Sequence, residues 1–211
     1  MKPILILIVV LIPSLCFGQK KIDNYAIYSE YLRVFQQRHG GEYNFVVKVK
    51  PVYNSFEDEP GISFFLNDFR EDTKANHVSG TFALYCPQLM DTLKKDTSWI
   101  HLIDQLSKSV KKSHTIRNAF AKDINVSMFT YNQYAKYFED KNIKDGWNSF
   151  LEDYPGHSVL TTISDIVSDD RHAVFYFSWR CGGLCGDGSL VMFSRDASGW
   201  KYLCSIILWQ S

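Results

Sequence analysis

Residues 158–210 read SVLTTISDIV-SDDR-HAVFYFSWR-CGGLCGDG-SLVMFS-RDASG-WKYLCSIILWQ, and this stretch decides the fold. Apolar residues tend to alternate with polar ones here, the period of a strand with one buried face. Strands are expected over 159–167, 172–180, 189–194 and 200–209. Ser168-Asp169-Asp170-Arg171 has the composition of a turn, and Arg195-Asp196-Ala197-Ser198-Gly199 that of a tight hairpin. Ala173, Phe175, Phe177 and Trp179 fall on one face of the second strand. The chain from 157 onward is therefore expected to be a four-stranded antiparallel β-meander.

Ahead of this stretch the period lengthens to that of helices. Ile22, Tyr25, Tyr28, Leu32 and Phe35 recur three or four apart over 22–38, and Gly40-Gly41 stop the run. Over 98–112, Trp99, Leu102, Ile103, Leu106 and Val110 share a face, with Ser98 placed to cap the start. Lys108, Lys111 and Lys112 suit the last turns, where the helix dipole favours cations. With His114 and Arg117 they make either an anion site or, more simply, a solvated helix end. Ile143, Trp147, Phe150, Leu151 and Tyr154 mark a third helix over 141–153, weakened by Gly146 and closed by Pro155-Gly156.

Two short strands precede or separate these helices. Phe45, Val47 and Val49 alternate with Lys48 and Lys50 up to Pro51, which reads as a half-exposed strand, and another fits 124–131. Residues 54–61 read as a loop, and 62–69 are apolar with no clear period. Helices covering one face of the meander give an α+β domain. The expected division is a leader at 1–18 and one domain at 19–211, mainly helical to 156 and β-meander from 157. No repeat or Pro/Ser-rich linker divides it.

The leader follows from Met1-Lys2-Pro3, the apolar run after it, and the small residues near Gly18. A positive start, an apolar core and a small-residue exit describe a secretory signal peptide. The run falls short of the roughly 20 apolar residues of a membrane-spanning helix, and nothing in 19–211 reaches that length. Cleavage after Gly18 would leave Gln19 first. A lipoprotein anchored through Cys16 is the competing reading, though Leu15 precedes the cysteine where a small residue is preferred. The expected location is periplasmic or secreted.

Past the leader stand Cys86, Cys181, Cys185 and Cys204. In an exported chain the default is disulfide bonding, with three connectivities open to four cysteines. In 181–188, CGGLCGDG, the glycines permit tight turns, so a Cys181–Cys185 bridge is sterically open. Were Ser194 to face Trp200, Cys204 would lie opposite Leu190 on the Phe177–Trp179 face, either as a buried thiol or as the partner of Cys86.

Chemistry is harder to find. The Cys-x-x-x-Cys spacing departs from the Cys-x-x-Cys of thiol oxidoreductases. A zinc site would lack the paired ligand spacing, with His157 and His172 the nearest additions. No P-loop, HExxH, GxSxG or EF-hand pattern occurs, so no cofactor or metal set is expected. If a site exists, it draws on Asp187, His157 and His172. The pairs Glu152/Asp153 and Asp169/Asp170 fall at a helix end and in a turn, poor places for paired acid–base work. Asn125-Val126-Ser127 is a sequon that matters only in a glycosylating secretory pathway.

Lys+Arg and Asp+Glu number 23 each, so no sign dominates and a nucleic-acid partner is not expected. Aromatics make up 15% of the chain, and most occupy core-like positions; exposed ones would suit a protein partner or a cell-surface glycan. Tyr131, Tyr134, Tyr137 and Phe138 cluster without forming a core stripe.

Gly146-Trp147-x-x-Phe150, Tyr154-Pro155, Cys181-Gly182-Gly183-Leu184-Cys185-Gly186-x-Gly188, Gly199-Trp200 and Trp209-x-Ser211 together resemble a group of uncharacterised exported bacterial proteins of the Bacteroidetes type. The resemblance covers mainly 146–211 and implies export, with no activity or catalytic residue attached. The reading is thus an exported binding or structural domain without catalysis. The alternative is a hydrolase or thiol-dependent enzyme centred on 181–188.

Overall fold

In the computed structural model the described residues are 23–50, 95–110, 114–139 and 142–211. The leader with Cys16, the 54–69 region, Cys86, Lys111 and Lys112 lie outside them. The described elements are helices α1 (Asn24–His39), α2 (Ser98–Ser109), α3 (Tyr131–Phe138) and α4 (Ile143–Asp153), with seven strands. These are β1 (Asn44–Lys48), β2 (Val126–Phe129), β3 (Ser158–Ile163), β4 (Val167–Ser168), β5 (His172–Gly182), β6 (Cys185–Asp196) and β7 (Gly199–Gln210).

The α+β class holds, but the expected four-stranded meander is corrected. All seven strands join one mixed sheet ordered β2-β1-β3-β5-β6-β7, with β4 beside β5. β1 runs parallel to both β2 and β3, while β3, β5, β6 and β7 pair antiparallel. The physical reason lies in β3, whose six residues are all buried. A strand covered on both faces belongs inside a sheet, and β1 supplies the missing neighbour. Phe45, Val46 and Val47 of β1 are fully buried, so the half-exposed strand expected there is an interior one.

Helices cover both faces, where one was expected. On the first face Tyr28, Tyr31, Leu32 and Phe35 of α1 pack on Phe175, Phe177, Val191 and Phe193. On the second, Trp99, Leu102, Ile103 and Leu106 of α2 meet Val174, Tyr176, Leu190 and Met192. Beside them Tyr137, Trp147 and Phe150 of α3 and α4 close over Val46, Phe129 and Leu160. The alternation read in 172–180 is what sends odd residues of β5 to α1 and even ones to α2.

Local chemistry sets the helix ends. Asp23 caps α1 by accepting from the Tyr25 and Ala26 amides at 3.1 and 3.3 Å, and Gly40 ends it at φ 67°. Asp96, not Ser98, serves the start of α2: its Oδ1 accepts the Ser98 amide at 3.0 Å. The tyrosine cluster without a stripe is α3, opened by a Thr130–Gln133 capping box.

The strand expected over 159–167 breaks after Ile163. Ser164 is buried; its Oγ accepts the Tyr176 amide (2.8 Å) and its carbonyl accepts the Tyr28 hydroxyl (2.8 Å). The connection expected at 181–188 is mostly ladder. Only Gly183 and Leu184 turn, and β6 begins at Cys185. At the β6–β7 hairpin Ser194 faces Lys201 rather than Trp200, and a bulge between Met192 and Phe193 then sets Met192 opposite Cys204. Cys204 therefore faces the α2 core, not the Phe177–Trp179 face.

Candidate functional site

The end of the sheet where β5 and β6 form their hairpin is overhung by the last turns of α1. Tyr31, Phe35 and His39 recur every four residues, so they form one stripe along the helix. Across from them Trp179, Asp187, Ser189, Ser205, Ile207 and Gln210 project from three adjacent strands. Together with Arg38 these residues line a cleft of about 320 Å³.

One wall is aromatic. Phe35 and His39 set their rings edge-on to Trp179 at 5.4 and 5.3 Å, and Tyr31 packs on Phe177 at 4.8 Å. The floor is polar. Trp179 Nε1 donates to Asp187 Oδ2 at 2.9 Å, and Ser189 Oγ donates to Oδ1 at 3.2 Å. Beside them the Tyr202 hydroxyl donates to Ser205 Oγ at 3.0 Å. The Arg38 guanidinium lies over the Tyr202 ring, 4.7 Å from its centroid.

Burial dominates the electrostatics of this floor. It raises the Asp187 carboxyl above its ordinary value, and the two donated hydrogen bonds and nearby His39 only partly oppose it. Burial likewise pushes the Tyr31 phenol up, so that hydroxyl stays neutral. A carboxylate has roughly four lone-pair directions, and two are taken by Trp179 and Ser189. Among the described residues no further hydrogen bond to this carboxylate occurs.

Of the sequence candidates, Asp187 alone enters this cleft. Cys181 and Cys185 stand beside the hairpin turn, with sulfurs at disulfide distance and Cα atoms 5.3 Å apart. Cys204 is buried next to Met192, its Sγ 3.9 Å from that sulfur, and Cys86 lies outside the described residues.

His172 is at the far end of β5, opposite Ser194. That is seven positions from Trp179, roughly 23 Å along a strand. Its Nδ1 lies 3.0 Å from Ser98 Oγ and 3.3 Å from Asp169 Oδ2, and its Nε2 is 3.6 Å from Asp96 Oδ2. The Trp99 ring covers it at 4.2 Å. Ser98 Oγ donates to Asp96 at 2.6 Å, so the hydroxyl is spent on the helix start. This cluster ties α2 to the β4–β5 turn.

His157 lines another hollow with Tyr43, Asn44 and Asn125, and its carbonyl accepts the Asn44 amide at 3.2 Å. Neither histidine joins Cys181 or Asp187. Every other residue of the cleft, His39, Arg38 and Gln210 among them, is one that sequence reasoning missed as part of a site. The four-residue spacing of Tyr31, Phe35 and His39 was the available signal. Among the described residues no group of three His, Cys, Asp or Glu converges as a metal site. No described helix is long and apolar enough to cross a membrane. No family model, curated protein or solved structure matches the chain.

Proposed function

We propose that this chain is an exported, non-catalytic binding domain whose α1–sheet cleft takes a neutral, hydroxyl-rich ligand, a saccharide unit of a cell-surface glycan. One observation carries the reading: a part-buried carboxylate with unspent acceptor capacity, set among hydroxyls and Gln210 beneath an aromatic wall. Hydroxyl groups donate to such a carboxylate, and the apolar face of a sugar ring suits the part-exposed Trp179. Arg38 and Asp187 line the same cleft, so it offers both a cation and an anion and favours neither sign of ligand.

Catalysis fits less well. Glycoside hydrolysis ordinarily uses two carboxyl groups across the scissile bond, and the residues lining this cleft include one. The thiol alternative has Cys181 beside Cys185 at disulfide distance, which leaves neither sulfur as a free nucleophile. Export is supported by the 1–18 pattern and by a cysteine pair suited to an oxidising compartment.

The test is a calorimetric and tryptophan-fluorescence titration with neutral, acidic and basic oligosaccharides. The expected result is saturable binding of a neutral glycan that quenches Trp179 and weakens about tenfold or more in Asp187→Ala, the loss of one charge-assisted hydrogen bond at ~1.5–3 kcal/mol. Absence of binding across the panel overturns the reading, and so does binding that Asp187→Ala leaves unchanged.

A further inference from the structure

Cys181 and Cys185 sit at the tip of the β5–β6 hairpin, just outward from Trp179 and Asp187, the pair in the polar floor of the α1–sheet cleft. The ladder is regular as far as Arg180 opposite Gly186 and then slips. Gly182 next meets Cys185, and Cys181 is left with no residue opposite it. The flanking strands stop at the same place: β3 pairs with β5 only up to Arg180, and β7 with β6 only from Asp187. Beyond them, among the described residues, Ser211 alone reaches the tip from outside with hydrogen bonds, its amide and hydroxyl donating to the Gly186 carbonyl at 3.0 and 3.4 Å. Where the ladder loses a rung, the two cysteines stand with Cα atoms 5.3 Å apart and sulfurs at disulfide distance. Cys181 packs with Trp179 on the α1 side of the core, so the bridge lies on the cleft face of the sheet.

We infer that Cys181 and Cys185 are positioning residues for this cleft: their bond holds the Trp179–Asp187 floor in place, and reduction slackens that floor while the rest of the fold stays formed. The role assumes the α1–sheet cleft as the binding site. Strand ends with few hydrogen bonds open at the least free-energy cost, and a bulged hairpin tip beyond its neighbouring strands is such an end. A covalent link across it removes those open states. The step is thiol–disulfide exchange. A dithiol reductant gives up two electrons and two protons and closes to its own disulfide, while the Cys181–Cys185 bond breaks to two thiols. In an exported chain the cleft is therefore slack in the reducing cytosol and set on oxidation outside it.

Indole proton exchange, followed by NMR on the full chain with no glycan present, tests this. The chain is compared air-oxidised, in excess dithiothreitol, and as the Cys181→Ser/Cys185→Ser variant, with thiols mapped by peptide mass. The Trp179 Nε1 proton, donated to Asp187, is expected to exchange about tenfold or more faster in the reduced and serine forms. Trp99, fully buried on the α2 face, is expected to keep its rate. Unchanged Trp179 exchange overturns the role. An equal rise at Trp99 overturns it too, because the bond then supports the whole fold rather than the cleft. So do free thiols at 181 and 185 in the air-oxidised chain. Where the serine variant fails to fold, the dithiothreitol comparison decides. A failed glycan titration leaves these rates untouched, so the redox role and the glycan reading fall separately.

Discussion

Asp187 stands directly opposite Trp179 in the β5–β6 ladder, and the side chain that fixes its position also helps to bury it. Burial outweighs the two hydrogen bonds it accepts, so its pKa in the folded chain is raised above the ordinary aspartate value. The folded state then holds this proton at pH values where the unfolded state has released it. Stability contributed by the protonated form is complete below 3.8 and is lost as pH rises through the raised value. Asp187→Asn removes this titration. In thermal melts run upward from pH 4, the wild type is expected to lose more stability than the variant; parallel curves would contradict the burial argument. The carboxylate itself was legible, because an acid among four glycines stands out in 181–188. Its surroundings were not. Arg38 and His39 arrive from a helix at the other end of the chain, and local periodicity carries no information about which helix face meets which strand.

At the scale of elements, α3 and α4 depend on a glycine that sequence reasoning counted as a cost. A Cβ on Gly146 would lie 2.3 Å from the Tyr137 carbonyl oxygen and 3.2 Å from the Phe138 ring. The two helices can approach this closely only because residue 146 has no side chain. Two effects oppose each other in Gly146→Ala. Helix propensity favours alanine by about 1 kcal/mol, while overpacking against backbone costs about 1–3 kcal/mol. Backbone cannot rotate aside as a flexible side chain would, so the clash wins and the variant is expected to be less stable. A lower urea midpoint with unchanged slope would show this; a midpoint at or above wild type would mean the helices separate without cost. The α4 helix was readable from Ile143, Trp147 and Phe150. The α3 helix was not, because eight residues hold only two turns and Tyr137 alone among them is buried, against α4 and the sheet residues Val46 and Phe129. Register failed for a similar reason. The hairpin closes on the two residues Ala197 and Ser198 rather than on the five of 195–199, and a bulge has no composition of its own.

Across the whole molecule, the alternating C-terminal stretch does not act alone. Its even-numbered core residues Val174, Tyr176, Leu190 and Met192 rest on α2, its odd-numbered Phe175, Phe177, Val191 and Phe193 rest on α1, and β3 is flanked by β1. Strand periodicity exposed the buried faces but not the second layer or the further strands beside β3, which is why a four-stranded meander covered on one face was the natural reading. A fragment of residues 157–211 keeps β3 to β7 and loses α1, α2 and β1. Both faces of its sheet and the outer edge of β3 would then meet water. Exposed apolar faces and a long open edge favour aggregation over folding. Expressed alone, this fragment is expected to be insoluble or to lack dispersed amide resonances. Adding back residues 19–156 as a separate chain is expected to recover a folded complex. A soluble 157–211 fragment with a dispersed spectrum would show that the strands carry their own core, and that the helices on either face are additions to it rather than half of it.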